Sequence, residues 1–268
     1  MSDERSMRVD YRGRTVVITG ASGAIGSAMA EAFAANGANV AIGCRNLGKG
    51  RELAERIRKA GGTAEVFSME VTDPAGLKTA AAEIEAKFGA IHVLINNAGV
   101  NVGPEDRKPI HEFSDEKWSW IVEVDLDGTY RCSKIFIPYL IKAGGGNIIN
   151  ISSVVGIVPF RNQCAFTAAK AGVINFSKAM ALELAPVGIR VNVIAPGSIL
   201  FEGTKALFYE DKERAEAMLS HIPQHRPGAP ADIANAALYV GSDKDASYLT
   251  GAVLTVDGGW TCGYARDF

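Results

Sequence analysis

The sequence is poor in the residues that build metal and disulfide sites. Cys44, Cys132, Cys164 and Cys262 are scattered over 268 residues. Without a C-x-x-C pair they suggest neither a disulfide framework nor a zinc knuckle, and a reduced protein is the default. Histidine is equally sparse, with four in all. His221 and His225 have the i, i+4 spacing of a helical metal pair, but Pro223 between them opposes a regular helix; structural or solvated imidazoles are expected, and no metal. Charge of neither sign dominates: 28 basic against 30 acidic side chains leave a net charge of −2, which argues against nucleic acid or an anionic membrane as a partner. No apolar run approaches the ~18 residues of a membrane span. The first residues, MSDERSMRVDY, are polar and lack the apolar stretch of a secretory signal, so a cytoplasmic location is expected.

Glycine and apolar residues are what the chain does have. Hydrophobic side chains make up 47%, and there are 29 glycines, against an average near 7%. Apolar, β-branched runs alternate with helical patterns. Thr15–Thr19 reads as a buried strand, Ala24 to about Asn36 as a helix, and Asn39–Gly43 as a second strand. Leu47–Ala60 is helical, Ala64–Met69 a third strand, and Asp73-Pro74 an N-cap with proline at the first position of a helix running to Phe88. Ile91–Asn96 is a fourth strand, Ser114–Ile141 mostly helical, Asn147–Ser152 a fifth strand, Phe166–Ala185 helical, Arg190–Ala195 a sixth strand and Ala252–Val256 a seventh. Such alternation predicts one doubly wound Rossmann-type α/β domain over residues 1–268, with a seven-stranded, mostly parallel sheet covered by helices on both faces. The pattern breaks between about 198 and 228, where Leu200, Phe201, Leu207 and Phe208 precede the charged run Glu210–Glu216. The run reads as a solvated helix face, and the whole insertion as a substrate lid.

Between the first strand and helix lies Thr19-Gly20-Ala21-Ser22-Gly23-Ala24-Ile25-Gly26. In a doubly wound fold this turn meets a pyrophosphate: glycines admit phosphate to the backbone, and the helix start supplies N–H groups and a positive dipole end. The fingerprint G-x-G-x-x-G is absent. Here the chain resembles the short-chain dehydrogenase/reductase family, whose turn reads T-G-x-x-x-G-x-G. Gly20 and Gly26 match its first and last glycines, and Ala24 replaces the middle one. Asn96-Asn97-Ala98-Gly99 matches the family's N-N-A-G after the fourth strand, and Pro196-Gly197 its P-G after the sixth. The resemblance covers about residues 13–260. It implies a nicotinamide dinucleotide held by Gly20, Ser22, Gly23, Ile25, Gly26, Val71, Asn97, Ala98, Gly99, Pro196, Gly197 and Ile199.

An NAD site usually carries Asp or Glu about 20 residues after the glycine turn. Arg45 stands at the end of the second strand instead, with Lys49 and Arg51 nearby. A guanidinium suits a 2′-phosphate, so NADP(H) is favoured over NAD(H), although Arg45 also reads as plain surface charge. Glu70 occupies the family's Asp position near the adenine.

Ser152-Ser153 closes the fifth strand, and Phe166-Thr167-Ala168-Ala169-Lys170 follows 13 residues after Ser153. Positions i and i+4 share a helix face, so residue 166 stands beside the Lys170 ammonium. The family motif is Y-x-x-x-K. By resemblance Ser153 hydrogen-bonds the substrate oxygen and Lys170 binds the nicotinamide ribose, but Phe166 replaces the tyrosine acid/base. Loss of a general acid/base costs ~10²–10⁴ in rate. Asp125 stands where the family has an Asn that supports a proton-relay water. Two readings stay open: an enzyme inactivated by a shape-preserving Tyr-to-Phe replacement, or a dinucleotide-binding pseudoenzyme with a binding or regulatory role.

The apolar helix from Phe166, the long helix before it and the tail from Val256 to Phe268 imply, by resemblance, a homotetramer. Val100–Pro104, Val154–Arg161, Gln163 and residues 198–208 form the candidate substrate wall, where Arg161, Asn162, Gln163 and Glu202 would suit a polar carbonyl or polyol. The expected partner is a small carbonyl or alcohol of sugar, polyol, hydroxy-acid or 3-oxoacyl type.

Overall fold

A computed structural model describes residues 7–263, the side chains of Ala206 and Leu207 excepted. In chain order the first half runs β1 (Thr15–Thr19), α1 (Ala24–Ala35), β2 (Asn39–Cys44), α2 (Leu47–Lys59), β3 (Thr63–Ser68), α3 (Pro74–Phe88) and β4 (Val93–Asn96). After two single-turn 3₁₀ helices come α4 (Asp115–Val122), a π-helical turn (Glu123–Asp127), α5 (Gly128–Lys142), β5 (Gly146–Ile151), α6 (Cys164–Leu184) and β6 (Ile189–Pro196). The chain finishes with α7 (Glu202–Thr204), α8 (Lys212–Leu219), α9 (Pro230–Gly241) and β7 (Val253–Val256).

The seven strands form one sheet in the order β3-β2-β1-β4-β5-β6-β7, and every pairing is parallel. The mostly parallel sheet expected from the sequence is therefore wholly parallel. Strands β1, β4 and β5 are buried on both faces, as continuous apolar runs in a covered parallel sheet must be. One face packs on Met29, Phe33, Leu53, Ile233 and Leu238 from α1, α2 and α9. The other packs on Leu77, Ile84, Phe136, Leu140 and Met180 from α3, α5 and α6. The order of strands reverses between β1 and β4, and ligands of such folds bind outside the carboxyl ends of the strands at that point.

Element ends fall within two residues of most sequence expectations, and the caps explain why. Asn46 accepts from the Lys49 backbone N–H at 3.1 Å, and Asp73 accepts from Ala75 N–H at 3.1 Å ahead of Pro74. Three differences stand out. The first is that α9 was not expected from the sequence. It opens with Pro230 in its first turn, and Asp232 accepts the Ala229 N–H at 2.8 Å, a start signal obscured by the irregular chain before it. The second is that the single helix expected over 114–141 contains the π turn. The third is the segment after β6: its charged run lies on an exposed helix as expected, but α8 starts only at Lys212 and a π-helical turn, Lys205–Tyr209, comes before it.

Candidate active site

Four strand ends deliver the site. After β1 the chain turns at Gly20, whose φ of +62° is left-handed and whose missing side chain leaves room for Ala98: a Cβ there would stand 2.9 Å from the Ala98 Cα. At Gly26, one turn into α1, a Cβ would lie 2.5 Å from the Gly20 carbonyl oxygen and 2.7 Å from the Ala21 Cα. Both glycines are thus demanded by close backbone packing. Asn97, after β4, donates through Nδ2 to the carbonyls of Thr19 (3.0 Å) and Gly20 (3.2 Å). The Thr19 hydroxyl accepts from Asn97 N–H and Ala98 N–H, each at 3.0 Å. The N-N-A-G segment therefore buttresses the glycine turn from the neighbouring strand.

A cavity of about 470 Å³ opens over this turn. Gly20, Ser22, Gly23, Ile25 and Gly26 line it from the first turn, and Asn97, Ala98 and Gly99 from the β4 end. Arg45, Lys49, Glu70 and Val71 close its far side. Its shape fits a dinucleotide because backbone, not side chains, forms the floor at the start of α1, where a pyrophosphate meets N–H groups. Arg45 and Glu70 face each other at 3.5 Å, with both side chains substantially exposed. Such a surface pair contributes ~0–1 kcal/mol, so it does not commit the guanidinium.

A second cavity, about 700 Å³, continues from the first; Ile25, Asn97, Gly99, Val100 and Phe201 belong to both. Asp125, Ser153, Phe166 and Lys170 line it, together with Pro196, Gly197 and Ile199 from the β6 end. Every catalytic and cofactor-binding candidate named from the sequence therefore lies along one crevice. Ser153 ends β5 in extended conformation and accepts from Val155 N–H at 3.3 Å. Ser152 faces the other way, donating to the Lys170 carbonyl at 2.8 Å. Lys170 is buried at 5% exposure, and its ammonium sits 5.5 Å from the centre of the Phe166 ring. Where a tyrosine would place a hydroxyl beside an ammonium, this chain offers only the face of a ring.

Asp125 holds the other side of that ammonium. Its Oδ2 lies 3.0 Å from Lys170 Nζ, with 0% of the side chain exposed, and its Oδ1 accepts from Val100 N–H at 2.7 Å. Lys170 also donates to the Ile151 carbonyl at 3.3 Å. The π turn carries Asp125 inward, and Thr129 Oγ donates to the Asp125 carbonyl at 2.8 Å. Single π turns recur at functional sites. Burial pushes the Asp125 carboxyl above the usual carboxylate range; the Lys170 charge and the Val100 N–H oppose the shift. Gly99 provides the space: a Cβ there would meet Asp125 Oδ2 and Lys170 Nζ, each at 3.2 Å.

The substrate wall needs correction. Arg161 and Gln163 line the second cavity, but Asn162 and Glu202 do not. Asn162 has a left-handed φ of 60° and turns toward a separate hollow with Lys108 and Pro109; Glu202 is exposed in the first turn of α7. Sequence reasoning missed Arg107, Met218 and Trp260, all of which line the cavity. Trp260 stacks on Phe160 with ring centres 5.0 Å apart. The sequence places Trp260 in the tail interface, whose residues 264–268 lie outside the described part. No local motif marks Arg107, which follows a 3₁₀ turn in an irregular loop.

Comparison with known proteins agrees with this geometry. The family described as Enoyl-(Acyl carrier protein) reductase matches residues 20–261. The 3-oxoacyl-acyl-carrier-protein reductase FabG of Escherichia coli is 39% identical over 251 residues, covering 94% of this chain and 98% of the relative. An uncharacterized oxidoreductase, YxbG of Bacillus subtilis, is 42% identical over 92% of this chain and 90% of its own. The crystal structure of a gluconate 5-dehydrogenase from Burkholderia cenocepacia in complex with NADP and tartrate superposes with a TM-score of 0.88 at 32% identity, covering 96% of this chain and 97% of that one. Fold, glycine turn and sequence together establish that the chain belongs to the short-chain dehydrogenase/reductase family, the nicotinamide-dinucleotide-dependent oxidoreductases.

Proposed function

We propose that the chain interconverts a secondary alcohol and a ketone of sugar, polyol, hydroxy-acid or 3-oxoacyl type, with NADP(H) favoured over NAD(H), and that Phe166 stands in place of the tyrosine that transfers the proton. The observation that carries this reading is the convergence of Ser153, Lys170 and Phe166 on one cavity continuous with the glycine turn. Gly20, Ser22, Gly23, Ile25 and Gly26 would hold the pyrophosphate, Asn97, Ala98 and Gly99 would flank it, and Val71 with Glu70 would bound the adenine. Pro196, Gly197 and Ile199 would bound the nicotinamide end. Arg45, with Lys49 beside it, would meet the 2′-phosphate. The nicotinamide, when bound, supplies or accepts the hydride.

Ser153 would orient the substrate oxygen, and Lys170 would hold the nicotinamide ribose against the pull of Asp125. Phe166 fills the tyrosine's volume but moves no proton. Binding therefore outlasts turnover. Ser198, Ile199, Phe201, Thr204, Phe208 and Met218, from the segment of residues 198–228, line the cavity and support its role as a lid. A homotetramer, found in the cytoplasm, completes the reading; exposed Trp118, Tyr130 and Leu182 on the helices α4 to α6 favour subunit contact there. A native mass of one chain would overturn the assembly.

The test of activity is Phe166→Tyr assayed over a carbonyl panel with NADPH and NADH. Turnover appearing with the hydroxyl supports the enzyme reading. Its absence from every carbonyl, with cofactor still bound, supports the second reading, a dinucleotide-binding pseudoenzyme. The Asp125–Lys170 pair favours that alternative, because the lysine is already engaged by a buried carboxylate.

A further inference from the structure

The charged groups of the second cavity do not balance. Three cations line it, Arg107, Arg161 and Lys170, against one carboxylate, Asp125. Asp125 and Lys170 neutralise each other at 3.0 Å. Arg161 is exposed and reaches water. Arg107 is different: it is half-buried, its Nε is shut off from solvent, and that atom has no hydrogen-bond partner. No ion pair within the described residues engages its guanidinium, which instead rests over the Phe208 ring, 5.4 Å from its centre. Burial lowers its pKa below the usual arginine value, opposed by the charge of Glu105. At neutral pH it remains a cation.

A guanidinium whose Nε–H is shut off from water and unpartnered is costly unless something pairs with it. Its planar fork matches a carboxylate in bidentate geometry. The ring beneath it comes from the segment after β6, whereas Arg107 comes from the loop after β4. The two segments therefore meet at this cation, in the cavity that Ser153 and Lys170 also line.

We propose that Arg107 is the anchor for a carboxylate on the substrate, so that the cavity takes a hydroxy- or oxo-carboxylate rather than a neutral polyol or ketone. This rests on the reading of the crevice as a dehydrogenase site. The carboxylate pairs with Arg107 and remains chemically unchanged, while the reacting carbon lies toward Ser153. Phe208 packs the guanidinium from the opposite face and fixes the plane of its fork. Arg161, in open solvent, adds long-range attraction without fixing orientation.

The experiment uses binding, so that Phe166 does not silence the readout. The full-length chain is saturated with NADPH and titrated calorimetrically with matched pairs in which a carboxylate is exchanged for a hydroxymethyl group: gluconate and sorbitol, threonate and threitol, 3-hydroxybutyrate and 1,3-butanediol. At least one carboxylate should bind tenfold or more tightly than its alcohol. Arg107→Met should lose that preference while NADPH affinity stays within twofold, and Arg107→Lys should recover part of it. Arg161→Met should cost threefold or less and show a steeper dependence on salt than Arg107→Met. The proposal is overturned if no carboxylate outbinds its alcohol, or if Arg107→Met weakens both members of a pair equally. Failure to bind NADPH at all would instead strike the underlying dehydrogenase reading. A circular dichroism spectrum and a melting curve for each variant separate lost recognition from lost folding.

Discussion

The two ends of the crevice are built from different materials. At the dinucleotide end the contacts are made by backbone. Gly20 and Gly26 leave no room for side chains, and Asn97 spends its amide tying the carbonyls of β1 to the end of β4. At the proposed reacting end the cavity is lined instead by polar side chains, Ser153, Lys170, Asp125 and Arg107. In the proposed reading, Phe166 and Asp125 are the departures from the family's usual residues at the reacting end. Ala24 and Glu70 are the milder departures at the other, an added methyl and an added methylene. Backbone-built recognition tolerates little change because altering it alters the fold, whereas side-chain chemistry can be lost with the architecture intact.

The contrast can be broken in several places. The largest effect belongs to Phe166→Tyr, which should raise kcat by ~10²–10⁴ with NADPH affinity unchanged within twofold. An unchanged rate over the whole panel would mean that more than one hydroxyl is missing from the reacting end. Next comes Gly26→Ala. A methyl 2.5 Å from the Gly20 carbonyl is overpacking, with a cost of ~1–3 kcal/mol, and urea unfolding together with NADPH binding should both register it. Retention of full stability would show that the turn has slack and that the contrast is overstated.

Smaller again is Arg45→Ser. It should reduce the preference for NADP(H) over NAD(H) by about fivefold, on the order of 1 kcal/mol, because the exposed cation is screened by water. Equal affinities in the parent chain would remove the 2′-phosphate assignment altogether. The finest test concerns pH. Burial raises the Asp125 carboxyl, so the folded chain keeps a proton there that the unfolded chain has already released. Stability contributed at that site is present below the ordinary carboxylate range and falls as pH climbs through the raised value. Asp125→Asn lacks this slope. Its urea midpoint, relative to the parent, should rise with pH across that window, and a difference independent of pH would show that Lys170 cancels the burial.

How much of this was legible beforehand follows from the range of the interactions. Strands β1, β4 and β5 announce themselves as apolar runs between turn residues, because each is buried on both faces, and local capping by Asn46 and Asp73 fixes helix starts. The helix α9 escaped because its apolar stripe, Ile233, Ala234, Ala237 and Leu238, lies behind an irregular segment that obscured its Pro230 start. The π turn is set by the placement of Asp125 against Lys170, two residues 45 positions apart in sequence, which no local pattern encodes. Ser153, Phe166 and Lys170 could be found through the family resemblance, because its motif sets two of them one helical turn apart and the third shortly after the preceding strand. Arg107 could not. Its partner ring, Phe208, belongs to a π-helical turn about 100 residues away, and only the folded chain shows that its Nε is stranded.

Five residues, Ile25, Asn97, Gly99, Val100 and Phe201, serve as wall to both hollows of the crevice. A shared wall makes the two selectivities hereditary companions. A substitution at Val100 or Phe201 that reshapes the room for one guest reshapes it for the other, so at these positions a change of electron carrier and a change of fuel arrive together. Residues such as Arg107 and Arg45, each facing only one hollow, are the places where one preference can drift while the other stands still.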